Sequence, residues 1–292
     1  MSAPWSTVRS PGFAAEARRI ITATRPDGLR LRAVAHLRSA HYAVYRAEAL
    51  DGSSWVVRIG AAADTDADPA DNTSVLGTSS ANPTGQYREF EIARGFATAG
   101  AAVSVPSAYA AVDGFDVLWI PFISGTADPV TASQWRDLLT GLQTWRPPSE
   151  LPVFTNRAKS FARLDDLPES VAGGLRNRYD TAMEALFEAA TAWSAVHGDA
   201  HAGNVINTGD RAILFDFDTV CWAPSVWDLS HLLNRAGTGA NTGYTAAELT
   251  AMFPFTAAEV GAALELRRIA ALIAREHRNH LTPIPAVARA AA

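Results

Sequence analysis

The stretch from Val196 to Asp216 constrains this chain more than any other segment. Two short apolar runs, Val205-Ile206-Asn207 and Ala212-Ile213-Leu214-Phe215, flank Thr208-Gly209-Asp210-Arg211. Turn-forming residues between two such runs mark a hairpin. Upstream, a helical pattern extends to about Trp193 and breaks at Val196-His197-Gly198, because glycine weakens a helix and accepts unusual dihedrals. Asp199 and Asn204 therefore sit on the loop entering the first strand, and Asp216 sits at the end of its partner. A hairpin brings those two ends together. The result is one carboxylate able to act as a base, plus an amide and a carboxylate able to hold a divalent cation.

Other readings of the same residues remain open. Asp, Asn, Gly and His are common turn and cap formers. A transition-metal hydrolase is a second alternative, since His197 and His201 are four apart with Asp199, Asp216 and Asp218 nearby. The His197-Gly198 break argues against the helical face that such a His pair needs, and no third imidazole is close in sequence.

Composition narrows the class. A 292-residue chain with 48% hydrophobic and 19% charged residues is a globular enzyme in character, not a disordered one. A formal charge of −5 disfavours nucleic acid as the main partner. Cys221 is the single cysteine, which excludes an intrachain disulfide and suits a reducing compartment. The N-terminus lacks a signal-peptide pattern, and no apolar run is long enough to span a membrane, so a cytoplasmic location is expected. Lys159 is the only lysine against many arginines.

Further blocks extend the first. His197-Gly198-Asp199-Ala200-His201-Ala202-Gly203-Asn204, then Leu214-Phe215-Asp216-Phe217-Asp218, then Trp227-Asp228-Leu229 together resemble the signature of the aminoglycoside phosphotransferase and choline kinase-like family, small-molecule relatives of the protein kinases. The resemblance implies an α+β, bilobal protein kinase-like fold, with a small antiparallel-sheet N-lobe and a mostly helical C-lobe. It implies Asp199 as catalytic base, Asn204 and Asp216 as Mg2+ ligands, and Asp228 bracing the loop, with His197 packed beneath it. Asp218 is a candidate for a second metal, pointing to the opposite strand face or beyond the strand end. His201 carries no assigned role. The expected reaction moves the γ-phosphoryl group of ATP or GTP to a hydroxyl of a small molecule. A nucleotide-binding pseudokinase scaffold is the alternative from another class.

The rest of the chain follows that order. Residues 14–22 suggest a helix; Leu29–Val34, Tyr42–Ala49 and Ser54–Ile59 read as a strand meander turning at Asp51-Gly52. The Ser39–Tyr42 turn, which lacks glycine, would cover the nucleotide phosphates through Ser39. Arg58 stands where kinases carry the phosphate-binding lysine, and its guanidinium suits a two-pronged phosphate contact. Residues 61–86 read as a mobile insertion, followed by a helix from about Gln86 to Ala99 whose Glu89, or else Glu91, would orient Arg58. Val103–Val112 and Phe115–Pro121 suggest two more strands, and Trp119 to Gly125, with Trp119 and Phe122, resembles the nucleotide-reading hinge. From Thr131 onward helices are expected over 131–144, 169–194, 226–235, 246–253 and 256–279. The division is thus residues 1–123 for the nucleotide-binding N-lobe and 124–292 for the C-lobe. The basic load of the last helix, Arg267, Arg268, Arg275 and Arg278 against Glu265 and Glu276, does not favour a cationic substrate.

Overall fold

Period-2 alternation of apolar side chains builds a five-stranded antiparallel sheet from β1 (Leu31–Ser39), β2 (Ala43–Ala49), β3 (Ser54–Ala61), β4 (Ala108–Val112) and β5 (Phe115–Pro121), in the order β1-β2-β3-β5-β4. The computed structural model describes residues 5–8, 10, 12–39, 42–61, 85–147, 151–154, 156–239 and 242–281. Ala43, Tyr45, Ala47, Val57, Ile59, Val117 and Trp119 form one face of the sheet. They pack on Phe13, Ala17, Ile20 and Ile21 of α2 (Phe13–Thr24), which follows the one-turn helix α1 (Trp5–Val8). Arg58 lies between Val57 and Ile59, so alternation sends it to the opposite face, towards α3 (Gly85–Thr98). The expected insertion at 61–86 falls outside the described residues except at its ends.

α3 belongs to the sheet region by sequence, yet its apolar residues join the larger, helical core. Ile92, Ala93 and Phe96 are buried there, with Phe96 against the rings of Trp145 (4.5 Å) and Phe217 (5.4 Å). That core is built by α4 (Ala132–Thr144), α5 (Asn156–Asp165), α6 (Glu169–Ala189), α7 (Trp227–Ala236), α8 (Ala246–Met252) and α9 (Ala257–Leu281). Thr131 and Gln134 close a reciprocal cap on α4, and Thr245 and Glu248 do the same for α8. The architecture is the expected one: α+β, kinase-like, with a small antiparallel sheet followed by a mainly helical body. No described helix is long and apolar enough to cross a membrane.

Several element boundaries differ from the sequence reading. The helix expected over 169–194 ends at Ala189, and Trp193–Val196 forms a strand, β6, paired with β9 (Cys221–Pro224). Val103 makes only an isolated bridge to Leu214, and the strand expected from it begins at Ala108. The hairpin is present as β7 (Val205–Asn207) and β8 (Ala212–Leu214), with Val205 opposite Leu214.

Candidate active site

Register in the β7–β8 hairpin sets the site. The amide of Phe215 donates to the Asn204 carbonyl at 3.0 Å, which places Asp216 beside the turn that carries Asn204. Before β7 the loop is held from below. Asp228, buried at the start of α7, accepts the His197 amide at 2.7 Å and the Gly198 amide at 2.9 Å. His197 Nδ1 accepts the Asp199 amide at 3.3 Å, which leaves the ring proton on Nε2, 3.0 Å from the Phe215 carbonyl. The fully buried His197 thus ties the loop to the strand bearing Asp216. Gly198 has φ +83°, and a Cβ there would lie 2.3 Å from the Thr219 carbonyl oxygen, so only glycine fits. Asp216 itself is left-handed at φ 70°, a conformation that aspartate accepts more readily than most residues.

This arrangement removes the transition-metal alternative. Both His197 ring nitrogens are engaged, His201 Nδ1 accepts the Gly203 amide at 2.8 Å, and no group of three or more His, Cys, Asp or Glu among the described residues could hold a metal ion. Hard oxygen donors are present instead. Asn204 gives its side-chain NH2 to the Asp199 carbonyl at 3.1 Å, leaving Oδ1 to accept, and the Asp216 carboxylate lies at the end of the adjacent strand. That donor set suits Mg2+ better than a softer metal. Asp218 is not on a strand as expected. It lies in a short 3-10 turn, Phe217–Thr219, beside Asp216, and burial and the Asp216 charge both raise its pKa.

Around Asp216 a buried charge cluster forms. Arg58 Nη1 contacts Glu89 Oε1 at 2.8 Å and Asp216 Oδ1 at 3.3 Å, and the Tyr42 ring covers the guanidinium at 4.2 Å. Glu91 is exposed and lies 3.9 Å from Arg94, so Glu89 is the carboxylate that orients Arg58. Burial pushes the Glu89 carboxyl up to about 7 against the opposing pull of Arg58. Arg58 Nη2 and Glu89 Oε2 are buried without a hydrogen-bond partner, so the cluster keeps an unused donor beside its carboxylates.

Asp199 has neighbours that the sequence reading missed. His201 Nε2 lies 3.5 Å from one carboxylate oxygen, and His231 Nδ1 and Arg267 Nη2 lie 3.4 and 4.0 Å from the other. Burial works to raise the Asp199 carboxyl, but the imidazoles of His201 and His231 beside it outweigh that and hold the group well below the usual carboxylate range. Burial, with Arg267 adding to it, lowers the His231 imidazole to about 3, so this ring is neutral at neutral pH. A cavity of about 200 Å³ opens over Asp199, lined also by Lys159, Arg163, Arg267 and Thr219. A second, of about 440 Å³, lies between the segment after β5 (from Ile123 to Val130) and β7.

The expected nucleotide contacts fall in three different surroundings. Trp119 is fully buried between the sheet and α2, its carbonyl accepts the Ser107 amide at 2.7 Å, and neither group is available to a purine. An apolar strand buried on both faces reads like a hinge, which explains the misassignment. The Phe122 amide donates to the Ser54 carbonyl at 2.9 Å and its exposed ring carries the Arg46 guanidinium at 4.4 Å. Ser39, at the exposed end of β1, meets His36 at 2.9 Å, and residues 40–41 lie outside the described residues.

A sheet packed over a helical body, with a braced Asp-Asn loop and an aspartate after the following hairpin, is the plan of kinase-like phosphotransferases. The sequence pattern of the phosphotransferase enzyme family (APH) matches residues 33–272, and the chain belongs to that family. Solved structures share its fold at low identity. An amicoumacin kinase in complex with AMP-PNP, Ca2+ and Ami is 15% identical, with a TM-score of 0.65 over 96% of this chain and 97% of that one. An aminoglycoside-3'-phosphotransferase of type VIII is 16% identical (TM-score 0.59; 88% and 99% covered). A macrolide 2'-phosphotransferase from Brachybacterium faecium is 14% identical (TM-score 0.58; 94% and 99% covered). No curated protein matches the sequence.

Proposed function

We propose that this protein transfers the γ-phosphoryl group of ATP or GTP to a hydroxyl of a small molecule, with Asp199 as the catalytic base. The observation that carries this reading is the loop geometry: Asp228 and His197 hold the loop of Asp199 and Asn204 beside Asp216, with Asp199 facing a cavity. Asp199 orients the acceptor hydroxyl. Its oxygen forms a bond to the γ-phosphorus as the bond to the β,γ-bridging oxygen breaks, and the departing diphosphate keeps that electron pair. The hydroxyl proton passes to the Asp199 carboxylate. Because that carboxyl is held strongly anionic, its chief work is to position the hydroxyl and take the proton late.

Asn204 Oδ1 and Asp216, with Asp218 alongside, would hold Mg2+, which when bound offsets the charge of the nucleotide phosphates. The unpartnered Nη2 of Arg58 is the donor left over for a phosphate oxygen, with Glu89 fixing the guanidinium. The cavity beside Ile123 and Ile206 has room for the nucleoside. Nucleotide chemistry and a lone, buried cysteine suit a cytoplasmic setting.

The test is Asp199→Ala, assayed for acceptor-dependent release of ADP across a panel of alcohols, sugars, amino alcohols and antibiotics. Turnover should fall by roughly 10²- to 10⁴-fold while nucleotide binding persists. Undiminished turnover in the variant would remove Asp199 from the reaction.

A further inference from the structure

The cavity over Asp199 has an unusual charge for a site meant to receive a hydroxyl. Its lining contains one carboxylate, Asp199, and three cations, Lys159, Arg163 and Arg267. Lys159 and Arg163 are four apart on α5 and so share a face. Arg267 faces them from α9, where Ala270, Ala271 and Ala274 supply a floor of small residues. Among the described residues neither Lys159 nor Arg163 has a carboxylate within ion-pair distance. The nearby acids are engaged elsewhere: Asp165 with Arg176, Asp166 with His277 and Asp180 with Arg157. Arg267 Nε is buried without a hydrogen-bond partner, and its Nη2 is 4.0 Å from Asp199. Burial lowers the pKa of both Arg163 and Arg267, the direction expected where counter-charge is short. Charges drawn out of water need a counter-charge, and Asp199 alone offers one to three cations.

We infer that the acceptor is a small hydroxyl compound carrying an oxyanion, a carboxylate or a phosphate, which Arg163 and Arg267 grip while its hydroxyl reaches Asp199. The inference rests on the phosphotransfer reading of Asp199. A polycationic acceptor would meet three like charges there. Size points the same way: a cavity of about 200 Å³ is below the roughly 300–1,000 Å³ usual for drug-sized ligands, and matches a small hydroxy acid or phosphorylated alcohol. Lys159 is close enough to Asp199 and Asp218 to bias both carboxyls downward.

The full-length protein should be titrated calorimetrically with glycerate, glycerol 3-phosphate, glycerol and ethanolamine, and separately with Mg-ATP. At least one of the two anionic probes should bind ten times more tightly than glycerol, and ethanolamine should bind no better than glycerol. Arg163→Gln should erase the preference. Ala271→Asp, which adds a carboxylate at an exposed floor position and leaves the core intact, should weaken the anionic probe by at least tenfold. Binding of both anions no tighter than glycerol, absence of binding included, or a preference for ethanolamine, overturns the inference. Failure to bind Mg-ATP overturns the phosphotransfer reading instead, and the two results are read independently because the probe titrations need no nucleotide.

Discussion

Arg58 stands between two carboxylates, and the balance around it decides how the sheet side of the site behaves. Glu89 is 3% exposed and has Arg58, at 2.8 Å, as its one ion-pair partner among the described residues. Removing one partner of a buried pair strands the other charge, which costs about 3–5 kcal/mol. Arg58→Met should therefore lose about 3 kcal/mol at pH 8. The loss should shrink on acidification. Folded Glu89 holds its proton up to about 7 even beside Arg58, against 4.5 for the free group, and without Arg58 it holds it higher still. A carboxyl whose folded pKa is raised favours the folded state at low pH, and that contribution is lost as pH rises through the folded value. Urea unfolding of the variant and the parent at pH 5.5 and 8 checks this. A deficit of the same size at both values would mean that Glu89 is not the stranded group. His231 makes the opposite contribution in both proteins, since its lowered pKa costs stability as pH falls from 6.5 towards about 3. Comparing variant with parent at each pH cancels it.

At the scale of elements, α3 acts as a strut between sheet and loop. Gln86 donates to the Asp116 carbonyl of β5 at 2.8 Å, Glu89 reaches Arg58 of β3, and Arg88 donates to the carbonyls of Asp218 and Val220 beyond the metal-side aspartates. Arg88→Met leaves two carbonyls without that donor, a loss of roughly 2–4 kcal/mol. It also frees the turn carrying Asp218, so turnover should drop tenfold or more, with a smaller change in acceptor KM. A urea midpoint and turnover both equal to the parent's would rule out the strut. Much of this element was legible: the helix expected from about Gln86 to Ala99 runs Gly85–Thr98, and Glu89 is the glutamate that meets Arg58. Arg88 was not, because an arginine on a helix is by default a solvated one and its acceptors lie about 130 residues further on. The loop of Asp199 and Asn204 was readable because its information is local, spacing within one hairpin. β6 was misread because Trp193-Ser194-Ala195-Val196 continues a 21-residue helix with no glycine or proline between, and only pairing with β9 makes it a strand. The cations over Asp199 carried a signal that went unused. Asn156, Lys159 and Arg163 recur at three- and four-residue spacing on α5, as do Arg267, Ala270, Ala271 and Ala274 on α9. His231 likewise follows Asp228 by three residues on α7, which brings both to the loop.

At the scale of the whole molecule, the described residues form two apolar cores, one between the sheet and α2 and one within the helical body, and Arg58 of the sheet reaches Asp216 beyond the hairpin. At that junction Glu89, Asp216 and Asp218 lie close together, and burial first, then the neighbouring carboxylates, raise Glu89 and Asp218. A divalent cation with a nucleotide should offset the charge of these carboxylates and tie the two cores together. Ligand at 100 times its Kd adds about 2.7 kcal/mol to the folded state. For a chain of this size, at about 2–4 °C per kcal/mol, Tm should rise by about 5–10 °C with saturating Mg-ATP. ATP with chelator should give a much smaller rise, because uncompensated phosphates then face the carboxylates. Asp216→Asn tests the cause. It removes one of the like charges while Glu89 still pairs with Arg58, so the unliganded variant should be no less stable than the parent, yet its Mg-dependent rise should disappear. Scanning calorimetry of both proteins with Mg-ATP and with ATP plus chelator separates the outcomes. Equal shifts in the two media for the parent would show that the oxygen ligands do not clamp a metal, and a full Mg-dependent shift in the variant would assign the clamp to residues other than Asp216.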